Sequence, residues 1–236
     1  MELKKYSKEN DYSYSFGAFP TYELLTNKSE FVSAIILHEK LDHTPDIQKI
    51  INLAKSKKIN IITNGKLLEK LSGKGNVFIA GVFRKFSDKN KLDGNTVLLV
   101  NPSDMGNLGT IVRAMLGFGY NNLALITPCI DVFDPKVIRA SMGAIFSINI
   151  KHYDNVETYL EETKNSLYPF MLQATTTLQS LSEKQNPNTL IFGNEATGLP
   201  NDYLKIGTPL VIKHSDKIDS LNLSMSVCLA LYEFSK

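Results

Sequence analysis

The sequence predicts an α/β protein in two parts, a small α/β/α module followed by a larger domain built on a mainly parallel sheet. Three observations carry this reading. Short β-rich apolar runs alternate with segments of helical periodicity along nearly the whole chain, which is the pattern of strand–helix–strand units. The alternation is interrupted once, by the charged stretch 84–94 (RKFSDKNKLDG), which reads as a linker. A length of 236 residues, 43% hydrophobic and 21% charged, is enough for one large core or two small ones and excludes a disordered or collagen-like chain.

Residues 1–15 are polar without periodicity and are expected to form a loose arm. Between 16 and 82, FVSAIIL at 31–37 reads as a strand. Residues 45–57 set Ile47, Ile50, Ile51 and Ala54 at helical spacing, with Asp46 near the start. A strand at 59–63, a short helix at 66–71 and a strand at 77–82 complete the module, so that 1–90 forms one domain and 91–236 the other. From Asn95 the alternation restarts. The expected order is a strand at 96–100, a glycine-rich loop, a helix at 108–118, a strand at 122–127, a helix at 135–142, a strand at 146–150 and a helix at 156–165. Strands at 170–174 and 189–193, a helix at 201–206, a strand at 209–213 and a helix from 220 to about 234 follow. Such a sheet is covered on both faces and binds ligands beyond the carboxyl ends of its strands.

Composition narrows the function. No apolar stretch approaches the roughly 20 residues of a membrane span, and the first 15 residues lack a signal peptide's apolar core. Cys129 and Cys228 are far apart and have no CxxC partner, which excludes a disulfide framework and a zinc finger and leaves two reduced thiols in a cytoplasmic protein. Lys and Arg outnumber Asp and Glu by 15 to 10 up to residue 90, while from 91 onward the balance is 11 to 14. A basic first part suits a polyanion, although solvated lysine faces are common. There is no GxGxxG after a first strand, no GxxxxGK[ST], no GxSxG, and the histidines at 38, 43, 152 and 214 lack metal-ligand spacing.

Three unusual segments remain, each after an expected strand. The first is 101–113 (NPSDMGNLGTIVR), where Gly106 and Gly109 permit close backbone approach and Arg113 on the following helix can face an anion. A plain turn with a surface arginine is the competing account. The second is 190–200 (LIFGNEATGLP), in which Glu195 lies between Gly193 and Gly198, near amides that could bind it; Thr197 or Gly198 could start a helix that Glu195 merely caps. The third is 211–226, containing SLNLSMS. Asn222 is a poor residue inside a helix, and capping by Ser220 would leave it unexplained.

In order and spacing these segments resemble the three motifs of the SpoU (TrmH-type) RNA 2′-O-ribose methyltransferases of the SPOUT superfamily. The first is similar to N-P-x-x-x-G-N-x-G-x-I-x-R, the second to G-x-E-x-x-G-L (Gly193, Glu195, Gly198, Leu199), and the third to S-L-N-x-S (Ser220, Leu221, Asn222, Ser224) with Leu231-Tyr232-Glu233 after it. The stretch 137–144 (VIRASMGA) is similar to the family's R-A-S-M-G-A helix. The likeness covers about 95–236. Residues 16–82 resemble, by layout, the family's ribosomal-protein-like substrate-binding module, with GAFPTYELL at 17–25 where that module begins a helix. Two departures stand out. Lys213-His214 replaces an apolar pair, often Pro-Met, at the rim of the cofactor pocket, and Asp104 stands where Asn is frequent.

The resemblance implies a trefoil knot in 91–236, S-adenosyl-L-methionine as cofactor, and methyl transfer to a ribose 2′-hydroxyl of ribosomal or transfer RNA. It implies a homodimer through the last helix and the motif-one helix, with Met225, Leu229 and Tyr232 on one flank, and no membrane or DNA partner. Arg113, Asn107, Glu195, Ser220 and Asn222 fall on the catalytic positions, Glu195 fixing the arginine or a motif-three amide. Gly193, Ile212, Leu221, Thr175, Asn194 and Gly198 fall on the cofactor side. Because a guanidinium stays protonated, Arg113 reads better as a cation binding the phosphate or the forming alkoxide than as a general base. The alternatives are a SPOUT-type base methyltransferase, against which S-L-N argues, and a non-catalytic RNA-binding module, against which the presence of Arg113 and Asn222 argues.

Overall fold

A computed structural model describes residues 3–87 and 91–236. In chain order its elements are β1 (Tyr12–Phe16), α1 (Ala18–Asn27), β2 (Val32–Leu37), α2 (Pro45–Ser56), β3 (Asn60–Thr63), α3 (Gly65–Ser72) and β4 (Ile79–Arg84). Then come β5 (Thr96–Val100), α4 (Met105–Gly117), β6 (Asn122–Ile126), α5 (Pro135–Ala140), β7 (Asn149–Tyr153) and α6 (Val156–Glu162). The chain ends with β8 (Ser166–Pro169), β9 (Thr176–Thr177), β10 (Asn188–Phe192), β11 (Leu210–Val211) and α7 (Leu223–Phe234). They fall into two compact units, Met1–Phe86 with Asp131–Ser147, and Ser87–Ile130 with Ile148–Lys236.

The first unit holds a four-stranded sheet in the order β1-β4-β2-β3, antiparallel except between β2 and β3. The helical face expected for 45–57 is the buried face of α2, whose start is capped by Thr44 and led by Pro45. Two expectations are corrected here. The arm does not extend to residue 15, because Tyr-Ser-Tyr-Ser-Phe pairs with β4 over its whole length and its first four residues are buried. The two serines that disguise this strand are satisfied in the core: Ser13 donates to the Phe133 carbonyl at 2.5 Å, and Ser15 accepts from the Gly81 amide at 3.1 Å. The linker is also shorter than 84–94. Arg84 ends β4, Lys85 pairs with Asp131 at 2.6 Å, and Phe86 stacks on Phe31 at 4.7 Å; positions 88–90 lie outside the described residues.

The same contacts show why 131–147 groups with the first unit, a departure from a division at 90. Phe133 and Phe146 meet Phe83 edge-on at 5.8 and 5.3 Å, and Tyr6 donates to Asp131 at 2.8 Å. With Phe146 drawn into that cluster, the strand expected at 146–150 forms instead as β7.

The second unit is a five-stranded, fully parallel sheet in the order β7-β6-β5-β10-β8. Strands β5, β6 and β10 are buried at every position, as central strands covered on both faces must be. The chain winds from β5 outward to β7 and returns to lay β8 and β10 on the other side. The strand order therefore reverses between β5 and β10, which is where open parallel sheets bind ligands. Short β9 and β11 pair beside this point. The strand expected at 170–174 is β8, several residues earlier, and the helix expected at 201–206 is a 3₁₀ segment, Asn201–Lys205. The α/β class with a mainly parallel sheet is as the sequence predicts.

Candidate active site

The segments that follow β5 and β10, together with the one that leads into α7, meet beside the switch point. After β5, Asn101 takes a left-handed φ of 52°, which asparagine tolerates. Helix α4 then starts at Met105, earlier than expected, because Asp104 caps it by accepting from the Asn107 amide at 2.7 Å. Gly106 and Gly109 consequently lie inside the helix and not in a loop, and Gly109 is buried.

After β10 the chain turns back on itself at once. The Gly198 amide donates to the Asn194 carbonyl at 2.9 Å, and Gly198 has a φ of 66°. Gly193 is pressed against the returning backbone so closely that a Cβ there would overlap Gly198 and Leu199. Asn194 holds this turn, accepting from the amides of Ala196 (2.9 Å) and Thr197 (3.4 Å) while donating to the Asn101 carbonyl at 2.8 Å.

Glu195 joins this turn to the first segment. Its carboxylate accepts from the Ser103 amide (3.1 Å) and hydroxyl (2.8 Å), the Asp104 amide (3.1 Å) and the Asn107 side chain (3.4 Å). Partial burial pushes its pKa up, but hydrogen bonds from its own amide, the Ser103 hydroxyl and the Ser103 and Asp104 amides outweigh this and hold it below the usual carboxylate range. Glu195 therefore serves motif one, not the arginine or a motif-three amide, and it caps no helix.

A carboxyl whose folded-state pKa is depressed stabilises above its unfolded value, and that contribution is lost as pH falls through the folded value. Glu195→Gln is accordingly expected to be less stable than wild type at pH 7, with the gap closing below the normal carboxylate range. Denaturant titrations from pH 7 to pH 3 measure it; a gap that does not change with pH would exclude the ionised form as the stabilising one.

The third segment ends in a cap. Asn222 Oδ1 accepts from the amides of Ser224 (2.9 Å) and Met225 (3.4 Å), so α7 begins at Leu223 and not at Ser220. A residue poorly suited to a helix interior is a strong N-cap. Its amide also donates to Asn107 Oδ1 at 3.1 Å, completing a chain Asn222–Asn107–Glu195 across all three segments.

This network borders a cavity of about 240 Å³. Of the expected site residues, Gly193, Asn194, Glu195, Gly198, Ile212, Ser220 and Leu221 line it. Thr175 does not; Leu172 and Gln173, from the same loop, do. Asn107 and Asn222 are tied to its border through Glu195. Arg113 is exposed on α4, with no hydrogen bond or ion pair among the described residues, and is not held by Glu195. Sequence reasoning missed Phe170, whose ring stacks on Phe192 at 4.5 Å, and Ser103, the principal partner of Glu195. Ser103 was detectable only as the small polar residue between Pro102 and Asp104.

Known proteins are similar to this chain in sequence and in fold. The chain is 33% identical over 141 residues to an uncharacterized tRNA/rRNA methyltransferase of Synechocystis, a match covering 58% of this chain and 51% of that protein. It is 30% identical over 153 residues to a 23S rRNA (adenosine(1067)-2′-O)-methyltransferase of Streptomyces laurentii, covering 63% and 56%. The chain thus spans about half the length of the curated relatives it matches. In fold it is similar to an AdoMet-bound rRNA methyltransferase from Sinorhizobium meliloti, with a TM-score of 0.81 at 22% identity, covering 95% of this chain and 87% of that one. The model of the SpoU rRNA Methylase family matches residues 94–232, which contain all three joined segments and make up more than half of the sequence, and the chain belongs to that family.

Proposed function

We propose that the protein transfers the methyl group of S-adenosyl-L-methionine to a ribose 2′-hydroxyl of structured RNA, ribosomal or transfer. The observation that carries this is the Asn222–Asn107–Glu195 chain, which ties three segments to the border of one cavity at the strand-order reversal.

The lining fits the cofactor. It combines apolar side chains, among them Phe170, Leu199, Ile212 and Leu221, with the tight backbone turn at Gly193–Gly198. Its acidic group is Glu195 and it contains no Lys or Arg, which suits a ligand bearing a cationic centre. Gly193, Asn194, Gly198, Ile212 and Leu221 would hold the cofactor; Thr175 would act from outside the lining. When bound, S-adenosylmethionine supplies an electrophilic methyl group on a sulfonium.

The chain must then position the ribose oxygen and stabilise the negative charge that grows on it. Arg113, uncommitted to any partner among the described residues, is the cation for that charge or for the adjoining phosphate. Asn107 and Asn222, locked together, hold the border rigid. Ser220 lines the cavity, and its hydroxyl, without a protein partner among the described residues, would orient the ribose.

The same reading includes a trefoil knot in 91–236, a ribosomal-protein-like RNA-binding module in the first 90 residues and a homodimer in the cytoplasm. The basic excess up to residue 90 supports RNA contact there. Leu116 on α4 and Met225, Leu229 and Tyr232 on α7 are exposed apolar residues and support self-association. No helix among the described residues is long and apolar enough to cross a membrane.

Incubating the full chain with methyl-labelled S-adenosylmethionine and total RNA, followed by alkaline hydrolysis, tests the assignment. Label is expected in alkali-resistant dinucleotides, the mark of a blocked 2′-oxygen. Label on a base would overturn the assignment in favour of base methylation, and no label would favour a binding module.

A further inference from the structure

The departure Lys213-His214 gains meaning from its setting. Gln179 grips the Lys213 backbone from both sides: its Nε2 donates to the Lys213 carbonyl at 3.2 Å, and the Lys213 amide donates to its Oε1 at 3.4 Å. His214 follows this clamp and lines the cavity. Its Nδ1 lies 3.1 Å from the Ser215 carbonyl oxygen. A carbonyl oxygen only accepts, so Nδ1 carries the proton and Nε2 of the neutral ring is a bare acceptor. No donor among the described residues is paired with Nε2. The other titratable lining group, Glu195, is already engaged by motif one.

We propose that His214 is a cofactor-recognising residue, its Nε2 accepting a hydrogen bond from an N–H or O–H group of S-adenosylmethionine. This rests on the cofactor reading above. A leucine at this position could fill the space but could not accept such a bond. His214 thus adds a polar criterion to the site. It also restricts what the site tolerates: a fixed cation at position 214 would oppose a sulfonium more than the neutral thioether left after transfer.

Calorimetry on the full chain tests this with S-adenosylmethionine, S-adenosylhomocysteine and methylthioadenosine. His214→Leu removes the acceptor, His214→Gln keeps one, and His214→Lys installs a cation. The leucine variant is expected to bind S-adenosylmethionine about tenfold more weakly, as for one lost hydrogen bond. The glutamine variant should stay within about threefold of wild type by the same reasoning. The lysine variant should lose more affinity for S-adenosylmethionine than for S-adenosylhomocysteine. If methylthioadenosine shows the leucine loss too, the donor belongs to the adenosine part; if it does not, the donor is the α-ammonium, and either result supports the proposal. A folded leucine variant that binds S-adenosylmethionine as wild type does would overturn it. Wild type that binds none of the three ligands would overturn the cofactor reading itself.

Discussion

Arg113→Ala is expected to lower the single-turnover methylation rate by about 100-fold or more at saturating RNA, the scale of one lost donor to a developing oxyanion. The position makes this a clean measurement. Arg113 is exposed on α4 and has no partner among the described residues, so truncating it opens no cavity and strands no buried group. Thermal stability should therefore be unchanged. S-adenosylmethionine affinity should also survive, because Arg113 does not line the cavity. Arg113→Lys should recover little, since a point charge cannot reproduce a planar, two-pronged donor. If the arginine only attracts RNA, the loss will appear in RNA affinity and vanish at saturation. Near-normal rates for the alanine variant would remove Arg113 from the chemistry.

The reading of the sequence succeeded where the physics was local. Buried runs such as Thr-Val-Leu-Leu-Val and the helical spacing of Ile47, Ile50, Ile51 and Ala54 carry their own signal, and both formed as expected. It failed where partners are distant in sequence. Tyr12–Phe16 looks like a polar arm because Ser13 and Ser15 look solvated; their partners, at 133 and 81, cannot be seen from the serines themselves. Asp131–Ser147 looks like a continuation of the second domain because nothing local shows that Asp131 pairs with Lys85, or that Phe146 meets Phe83. The consequence is practical, since a fragment starting at residue 91 would leave Phe133 and Phe146 without the aromatic ring they pack on. At the site, the spacing of the motifs located the right residues but not their connections. Glu195 was legible as a carboxylate near amides, but which amides it binds depends on β5 and β10 being neighbours. Asn222 was legible as misplaced in a helix, and the misfit was the sign of a cap.

Gly193→Ala is expected to cost about 3 kcal/mol of stability, the upper part of the range for overpacking, because the added methyl would meet backbone and not a side chain that can turn aside. For a chain of this size that corresponds to a melting temperature lower by roughly 6 to 12 °C. The cavity should suffer with it. Gly193, Asn194, Gly198 and Leu199 line it, and moving the returning strand away from Gly193 also pulls Glu195 from Ser103 and Asp104. S-adenosylmethionine affinity should thus fall even in the fraction that remains folded. Gly198→Ala provides the control on the same turn. Gly198 has a positive φ of 66° but open space where a Cβ would go, so its variant meets the left-handed penalty of about 1 kcal/mol and no overlap. Calorimetric melts and ligand titrations of the two variants separate steric closeness from backbone conformation. Equal losses at the two positions would mean that the turn tolerates a methyl at Gly193 by shifting, and that the close approach of the two backbones is not what shapes the cavity.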